Sequence, residues 1–143
     1  MTQPPPSEPP KNRDHALLSR EMRPVVEALL SDLEAAGHPF EMIEGHRTVE
    51  RQAWLYASSR TRQGPKLTNC DGVKNPSPHQ RGDGADLWPL TQGGHAWCPP
   101  ATILVNGHNV LHPLWALLAE KAKGLGLKAG ADFHDFDHVE RRA

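Results

Sequence analysis

Two long irregular stretches, residues 61–82 and 89–110, leave this chain room for only short strands and a few helices. The first stretch is rich in glycine, proline, asparagine and serine. Glycine and proline disfavour the interior of helices and strands. Irregular segments this long in compact domains are usually functional or mobile. We therefore expect the regular elements to be short and to lie between these stretches.

The apolar pattern around them predicts an α+β domain. Helices are predicted over residues 14–37, 48–60 and 113–124, and short strands over 40–44, 85–88 and part of 127–140. Pro24 predicts a kink or a new helix start, Gly37 a C-terminal cap, and Thr48 an N-cap. Together these elements predict a small, mainly antiparallel sheet flanked by helices.

Length and composition predict an N-terminal tail followed by one catalytic domain. Residues 1–13 contain five prolines among polar neighbours, so we expect a disordered, Pro-rich tail there and a single domain over residues 14–143. A domain of that size buries a core without disulfides or structural metals. Any metal site is therefore free to be catalytic.

Charge and hydropathy exclude several classes of function. The net charge is only -1 with histidine neutral, which argues against nucleic acid as a partner. The sequence has no apolar run long enough for a membrane helix, and its N-terminus lacks the apolar core of a signal peptide. Cys70 and Cys98 are too few for a disulfide framework. We expect synthesis in the cytoplasm, no membrane insertion and a monomer.

Histidine and acidic residues concentrate in two segments, residues 77–86 and 134–140. Catalytic zinc sites in proteins often use two histidines and one carboxylate and keep one position open for water. His79 and Asp86 are separated by two glycines, which suits a turn that brings a loop histidine beside an aspartate on the following strand. The spacing by itself gives only a hypothesis of a metal site.

Ordered motifs make that hypothesis specific. The pattern Ser77-x-His79-x-x-Gly82-x-Gly84-x-Asp86 resembles the S-x-H-x-x-G-x-A-x-D signature of the zinc D-alanyl-D-alanine carboxypeptidase and dipeptidase family, which includes phage L-alanyl-D-glutamate endopeptidases. Residues 135–138 resemble its second signature, an acid three positions before a metal-binding histidine. Residues 44–52 resemble the segment around its active-site arginine, and residues 55–69 resemble the phage endolysin branch. The similarity covers about residues 40–140.

This resemblance implies a D-Ala-D-Ala carboxypeptidase-like, hedgehog-like fold with one zinc ion per chain on the sheet. It implies that the metal ligands are His79, Asp86 and His138. Asp135 takes the family position of the general base, and Arg47 that of the residue that stabilises the oxyanion. Asp137 stands where the phage enzymes often have proline and is a second candidate base, although its side chain would point away from His138 on an extended segment.

Other residues near the motifs have less direct roles. Ser77 and Gln52 are candidate substrate-binding residues, with Gln52 able to support the Arg47 segment instead. Glu140 either orients His138 or is simply exposed. The alternative role of Arg47 is a surface ion pair with Glu44 or Glu50. We expect Asp83 and His134 to face solvent.

The implied function is a zinc-dependent peptidase that cleaves the peptidoglycan stem peptide. L-alanyl-D-glutamate endopeptidase activity is favoured because residues 47–69 resemble the endolysin branch. Such an enzyme would reach the wall after release through a holin-type lesion or lysis. The first alternative is a D,D-carboxypeptidase or dipeptidase that acts on D-Ala-D-Ala ends. The second is a non-catalytic, zinc-bearing cell-wall binding module, since a motif persists in some proteins without activity.

Overall fold

A computed structural model of the protein describes residues 7–142. It contains three α-helices, Met22–Ala35 (α1), Val49–Ala57 (α2) and Pro113–Gly124 (α3). The strands are Phe40–Glu44 (β1), Gly84–Pro89 (β2), Thr102–Val105 (β3), His108–Leu111 (β4), Lys128–Ala129 (β5) and His138–Glu140 (β6). Short 3-10 helices cover His15–Leu17, Pro78–Arg81 and Gly130–Phe133. None of the helices in this part of the chain is long and apolar enough to span a bilayer.

The central sheet has four strands in the order β1-β2-β6-β5, and every neighbouring pair is antiparallel. Strands β3 and β4 form a separate hairpin. The predicted α+β class with a mainly antiparallel sheet is therefore confirmed. Strand β2 lies in the interior of the sheet, so both of its edges are paired.

The core lies between the sheet and helices α1 and α3. Helix α1 buries its apolar stripe completely, through Met22, Val26, Leu29 and Leu33 at helical spacing. From α3, Trp115 and Leu118 join the same cluster, and strands β2 and β6 contribute Leu87 and Val139. The core thus fixes β2 and β6 from one side of the sheet.

The ends of the first two helices differ from the predicted ones. Helix α1 begins at Met22, which puts Pro24 in the first turn, where its missing N–H costs no helical hydrogen bond. Gly37 is the predicted cap: it has φ +87°, and the amides of Gly37 and His38 donate to the carbonyls of Glu34 and Leu33. Helix α2 ends at Ala57, and the amides of Arg60, Thr61 and Arg62 all turn back onto the Ala57 carbonyl.

The β3–β4 hairpin is absent from the sequence prediction, which treated residues 89–110 as irregular. Asn106 and Gly107 form its two-residue turn with φ angles of 51° and 78°. An Asn-Gly pair between apolar runs is a strong hairpin signal, because both residues tolerate positive φ. That signal was present in the sequence.

Residues 1–6 of the predicted tail lie outside the described residues. Residues 8–13, in contrast, contact the domain: Arg51 donates to Glu8 and to the Pro9 carbonyl, and the Gly45 amide donates to the Asn12 carbonyl at 2.8 Å. The domain boundary at residue 13 stays a prediction, but the segment before it packs on β1 and α2.

Gly82 joins the N-terminal segment to the loop that precedes β2. Its φ is +74°, and a Cβ there would lie 2.6 Å from the Ser19 amide nitrogen and 3.0 Å from the Leu17 carbonyl oxygen. Its own carbonyl accepts from the Ser19 amide at 2.9 Å. Both the left-handed conformation and the close backbone contact therefore require glycine.

Replacement of Gly82 by alanine should lower the free energy of unfolding by about 3 kcal/mol or more, because steric overlap adds to the left-handed strain. Gly94→Ala is the matched control: its φ is +81° with nothing within 4 Å of the added Cβ, so it should cost only about 1 kcal/mol. Urea titration followed by circular dichroism measures both. Equal losses for the two variants would contradict the packing argument.

Asp83 is buried, so the prediction that it faces solvent is wrong. It accepts hydrogen bonds from the Ser19 hydroxyl and the Arg141 guanidinium, and Arg81 lies 3.6 Å away. Burial alone raises the pKa of this carboxyl, but the hydrogen bonds and the two arginines lower it below its ordinary value. Asp83 thus connects the start of β2 to both ends of the domain.

Because the pKa of Asp83 is depressed in the folded state, its stabilising contribution should be complete at neutral pH and disappear as pH falls below about 4. Asp83→Asn should therefore cost about 1 kcal/mol at pH 7 and much less in acid. Asp132→Asn, which removes an exposed surface pair with Lys123, is the control. Chemical denaturation at several pH values measures the loss of stability in each variant. A loss in Asp83→Asn that does not change with pH would refute the role of the Asp83 charge.

Candidate metal centre

His79 is held by a short, tightly capped helix. Ser77 caps the 3-10 helix Pro78–Arg81: its hydroxyl accepts from the His79 amide, and its amide donates to the Gln80 side chain at 2.8 Å. Pro78 occupies the first turn and restricts the backbone there. This capping box fixes the direction of the buried His79 side chain.

Asp86 and His138 reach the same place through the sheet. They are direct partners in the antiparallel pairing of β2 with β6, so their side chains project from the same face. Gly84, two residues earlier on β2, lies close to both histidines: a Cβ there would be 3.1 Å from His138 Cε1 and from the His79 amide nitrogen. The strand therefore approaches the histidines closely.

The three side chains predicted as ligands converge. His138 Nδ1 lies 3.2 Å from His79 Nε2 and 3.2 Å from Asp86 Oδ1, and His79 Nε2 lies 3.3 Å from Asp86 Oδ1. Tetrahedral zinc, with bonds of about 2.0–2.1 Å, keeps its ligand atoms about 3.3 Å apart. The triangle therefore has the size of one face of a zinc coordination tetrahedron.

The remaining ring nitrogens are also engaged in the manner of metal-binding histidines. His79 Nδ1 lies 2.8 Å from the Gly45 carbonyl, and His138 Nε2 lies 3.0 Å from Glu140 Oε1. Both partners are acceptors, so each favours the proton on that outer nitrogen and leaves the inner nitrogen with a lone pair. Two lone pairs and a carboxylate then face each other, an arrangement that needs a cation.

The electrostatics of the site agree with this need. Burial opposes a positive charge on His138, but Asp86 and Glu140 raise its pKa to about 10. Burial likewise opposes the Asp86 charge, yet His79 and His138 hold the pKa of Asp86 well below its ordinary value. The raised pKa of His138 shows that the carboxylates around it stabilise a positive charge at this place, and the lowered pKa of Asp86 shows that a positive charge beside it stabilises its carboxylate. The residues present therefore fit a divalent zinc ion.

Arg47 lies beside the candidate metal ligands inside a buried charge cluster. Its guanidinium donates to Glu44 at 2.9 Å, and Asp86 Oδ2 lies 3.8 Å away. Arg51 also donates to Glu44. Burial raises the pKa of Glu44, but the two guanidinium groups lower it below its ordinary value. The pairing of Arg47 with Glu44 that the sequence suggested for the surface is thus formed in the interior.

Gln52 forms hydrogen bonds both to this cluster and to the neighbouring loop. Its side-chain oxygen accepts from Arg47 at 2.8 Å, and its amide donates to the Cys70 carbonyl at 2.8 Å. The side chain is fully buried, which leaves it no surface for direct contact with a substrate. It connects Arg47 to the long loop around residues 68–70.

The two candidate bases lie together. Asp135 and Asp137 are near enough for each carboxyl to affect the pKa of the other, and the Trp88 indole donates to Asp137 at 2.9 Å. Burial and the Asp86 charge raise the pKa of both, that of Asp137 to about 7. The expectation that Asp137 points away is wrong, because β6 starts only at His138 and the preceding segment is a turn.

A cleft of about 580 Å³ unites these groups. Its wall contains the three ligand residues and both candidate bases, and it also contains Lys11, Glu44, Arg47, Arg51, Leu67, Thr68, Asn69, Ser77, His134 and Glu140. Sequence analysis assigned no role to Arg51 or Lys11. Their contacts join distant parts of the chain, although Glu44 and Arg51 lie in the segment already associated with Arg47.

Glu140→Gln should weaken zinc binding about tenfold, because the carboxylate that orients His138 and sustains its basicity is lost. Competition with a chromophoric chelator measures the dissociation constant. Glu120→Gln, an exposed change on α3, is the matched control and should leave the affinity unchanged. Identical affinities for the two variants would refute a role for Glu140 in holding the ligand.

Comparison with known proteins identifies solved structures that share this fold. No family model matches the sequence, and no curated protein matches it significantly. The L-Ala D-Glu endopeptidase ChiX of Serratia marcescens matches with a TM-score of 0.54 and 16% identity, over 90% of this chain and 83% of its own. The vancomycin resistance D,D-pentapeptidase VanY, a mutant in complex with Zn(II), matches with a TM-score of 0.56 and 16% identity, over 87% and 72%. The chain therefore has the fold that these two peptidases share.

Proposed function

We propose that this protein is a zinc-dependent peptidoglycan peptidase that cleaves the stem peptide, and that its activity is that of an L-alanyl-D-glutamate endopeptidase. The observation that carries the proposal is the convergence of His79, Asp86 and His138 within a cleft that Asp135 also lines. Support comes from the shared fold with an endopeptidase and with a Zn(II)-bound D,D-pentapeptidase.

His79, Asp86 and His138 would hold one zinc ion per chain. Bound there, zinc would supply Lewis-acid chemistry, which lowers the pKa of water and polarises a peptide carbonyl. The protein's own contribution is to fix the three donor atoms, through the Ser77 cap and the pairing of β2 with β6. Glu140 and the Gly45 carbonyl orient the two imidazole rings.

Asp135 is the proposed general base. Its carboxyl lines the cleft and is close enough to the metal ligands for the charges of Asp86 and His138 to affect its pKa. It would accept a proton from the attacking water and return it to the leaving amine. Asp137, which Trp88 holds by a hydrogen bond, is near enough to affect the pKa of Asp135.

Arg47 is the proposed stabiliser of the oxyanion. Its guanidinium is held by Glu44 and Gln52, lines the cleft and keeps its positive charge at any physiological pH. A cation fixed in this way needs no reorganisation when negative charge develops on the attacked carbonyl. Ser77 lines the same cleft, and its hydroxyl remains able to donate to a substrate carbonyl.

Two observations bear on which peptide bond the protein cleaves. Residues 47–69 resemble the phage endolysin branch, which supports the endopeptidase and a role in bacteriolysis after release from the cell. The shared fold with a D,D-pentapeptidase supports D,D-carboxypeptidase or dipeptidase action as the second candidate. The same zinc chemistry serves both reactions.

The deciding experiment incubates the zinc-loaded protein with purified peptidoglycan and identifies the released ends by mass spectrometry. We expect new N-terminal D-Glu, and we expect Asp135→Asn and chelator treatment each to reduce its release at least a hundredfold, the usual scale of general acid–base catalysis. Asp132→Asn, an exposed acid outside the cleft, serves as the matched control.

Other outcomes would redirect the proposal. Release of D-Ala in place of new D-Glu ends would keep the zinc peptidase and move it to the carboxypeptidase class. Intact peptidoglycan after incubation with protein that demonstrably holds zinc would refute the peptidase and favour a zinc-bearing binding module.

A further inference from the structure

Residues 8–13 form a segment beside the cleft of the candidate metal site, with Lys11 in the cleft wall. Arg51 anchors it by donating to Glu8 at 3.0 Å and to the Pro9 carbonyl at 2.9 Å. The Asn12 carbonyl accepts from Gly45, and Arg13 pairs with Glu41 at 2.8 Å. Contacts on both sides of Lys11 therefore hold this segment along β1, so its side chains have defined positions.

Lys11 is the residue of this segment that faces the cleft. Its ammonium lies 5.6 Å from the centroid of the Trp88 ring, within the range of a cation–π contact. Lys11 lines the same cleft as the three ligand residues. The side chain is exposed, so its ammonium is accessible to a bound molecule.

Lys11 differs from the other cations of the cleft wall in its partners. Arg47 and Arg51 both form ion pairs with Glu44, and Arg51 forms a second with Glu8. Within residues 7–142, Lys11 forms no ion pair with a protein carboxylate. Its charge is therefore available to a carboxylate that a ligand brings into the cleft.

Lys11 lies on the same side of the cleft as the candidate base. It lies over Trp88, the Trp88 indole donates to Asp137, and Asp137 is near enough to Asp135 for each carboxyl to affect the pKa of the other. Asp135 is the group proposed to return a proton to the leaving amine. An amine that received its proton from Asp135 would leave on the side of the cleft where Lys11 lies.

We propose that Lys11 is a substrate-binding residue that recognises the carboxylate on the leaving residue of the stem peptide. This inference rests on the proposed function, and it limits the substrates to peptides whose leaving residue carries a free carboxylate. In the L-Ala–D-Glu bond, the carbon that bears the leaving nitrogen also bears the free α-carboxylate of D-Glu. In a D-Ala-D-Ala end, it bears the terminal carboxylate. Both candidate substrates thus present an anion one carbon from the leaving nitrogen.

The test measures binding separately from cleavage. Two peptide pairs are titrated by calorimetry into the zinc-loaded Asp135→Asn variant: L-Ala-γ-D-Glu-L-Lys and a D-Ala-D-Ala peptide, each with the leaving-residue carboxylate either free or converted to carboxamide. Lys11→Gln is then added to the same background. Lys123→Gln, which removes an exposed cation outside the cleft and outside the segment that carries Lys11, is the matched control, and Lys11→Arg tests whether charge suffices.

Lys11→Gln should weaken binding of the free-carboxylate peptide about tenfold, the scale of one charged hydrogen bond, and leave the carboxamide peptide unchanged. Lys123→Gln should change neither, and Lys11→Arg should restore most of the affinity. The same selective loss should appear in KM, with kcat nearly unchanged, when Asp135 is intact. The peptide pair that shows the effect identifies the source of the carboxylate.

A Lys11→Gln variant that binds the acid and the amide with unaltered affinities, or that loses both equally, would overturn the proposal. These outcomes are distinct from failure of the proposed function. If the protein with Asp135 intact cleaves neither peptide, yet Lys11→Gln still weakens only the carboxylate peptide, the carboxylate site stands and the peptidase does not.

Discussion

The antiparallel pairing of β2 with β6 is the constraint on which the site depends. It makes Asp86 and His138, which are 52 residues apart in the chain, direct neighbours on one face of the sheet. The third donor, His79, comes from the capped turn immediately before β2. The core beneath Leu87 and Val139 fixes the register, and a one-residue slip would carry a ligand to the opposite face.

A cluster of buried charged residues, Glu44, Arg47 and Arg51, lies beside these three side chains. Removing charges from water is costly unless each finds an opposite partner and further hydrogen bonds. Glu44 meets this condition by accepting from both Arg47 and Arg51. Gln52 then ties Arg47 to the long loop, while Arg51 ties the N-terminal segment to the domain. Polar contacts thus hold residues 8–13 and the long loop against the candidate metal centre.

Much of the fold was predictable because local chemistry expresses it directly. The buried stripe of α1, the Gly37 cap and the Thr48 cap follow from helical spacing and from backbone needs that a single residue satisfies. The β3–β4 hairpin was equally local, through its Asn-Gly turn, and was missed. Asp83 could not be placed from sequence, since its burial depends on Ser19 and Arg141 at opposite ends of the chain.

The sequence by itself determined the chemical types of the site: two histidines and an aspartate in ordered motifs, an acid three positions before the last histidine, and an arginine upstream. Only the tertiary structure decided how these groups are used. It brought Asp137 into the cleft beside Asp135, buried Gln52 under Arg47, and placed Lys11 on Trp88. The reason is physical, since the position of a side chain in a cleft depends on contacts between segments that no local pattern encodes.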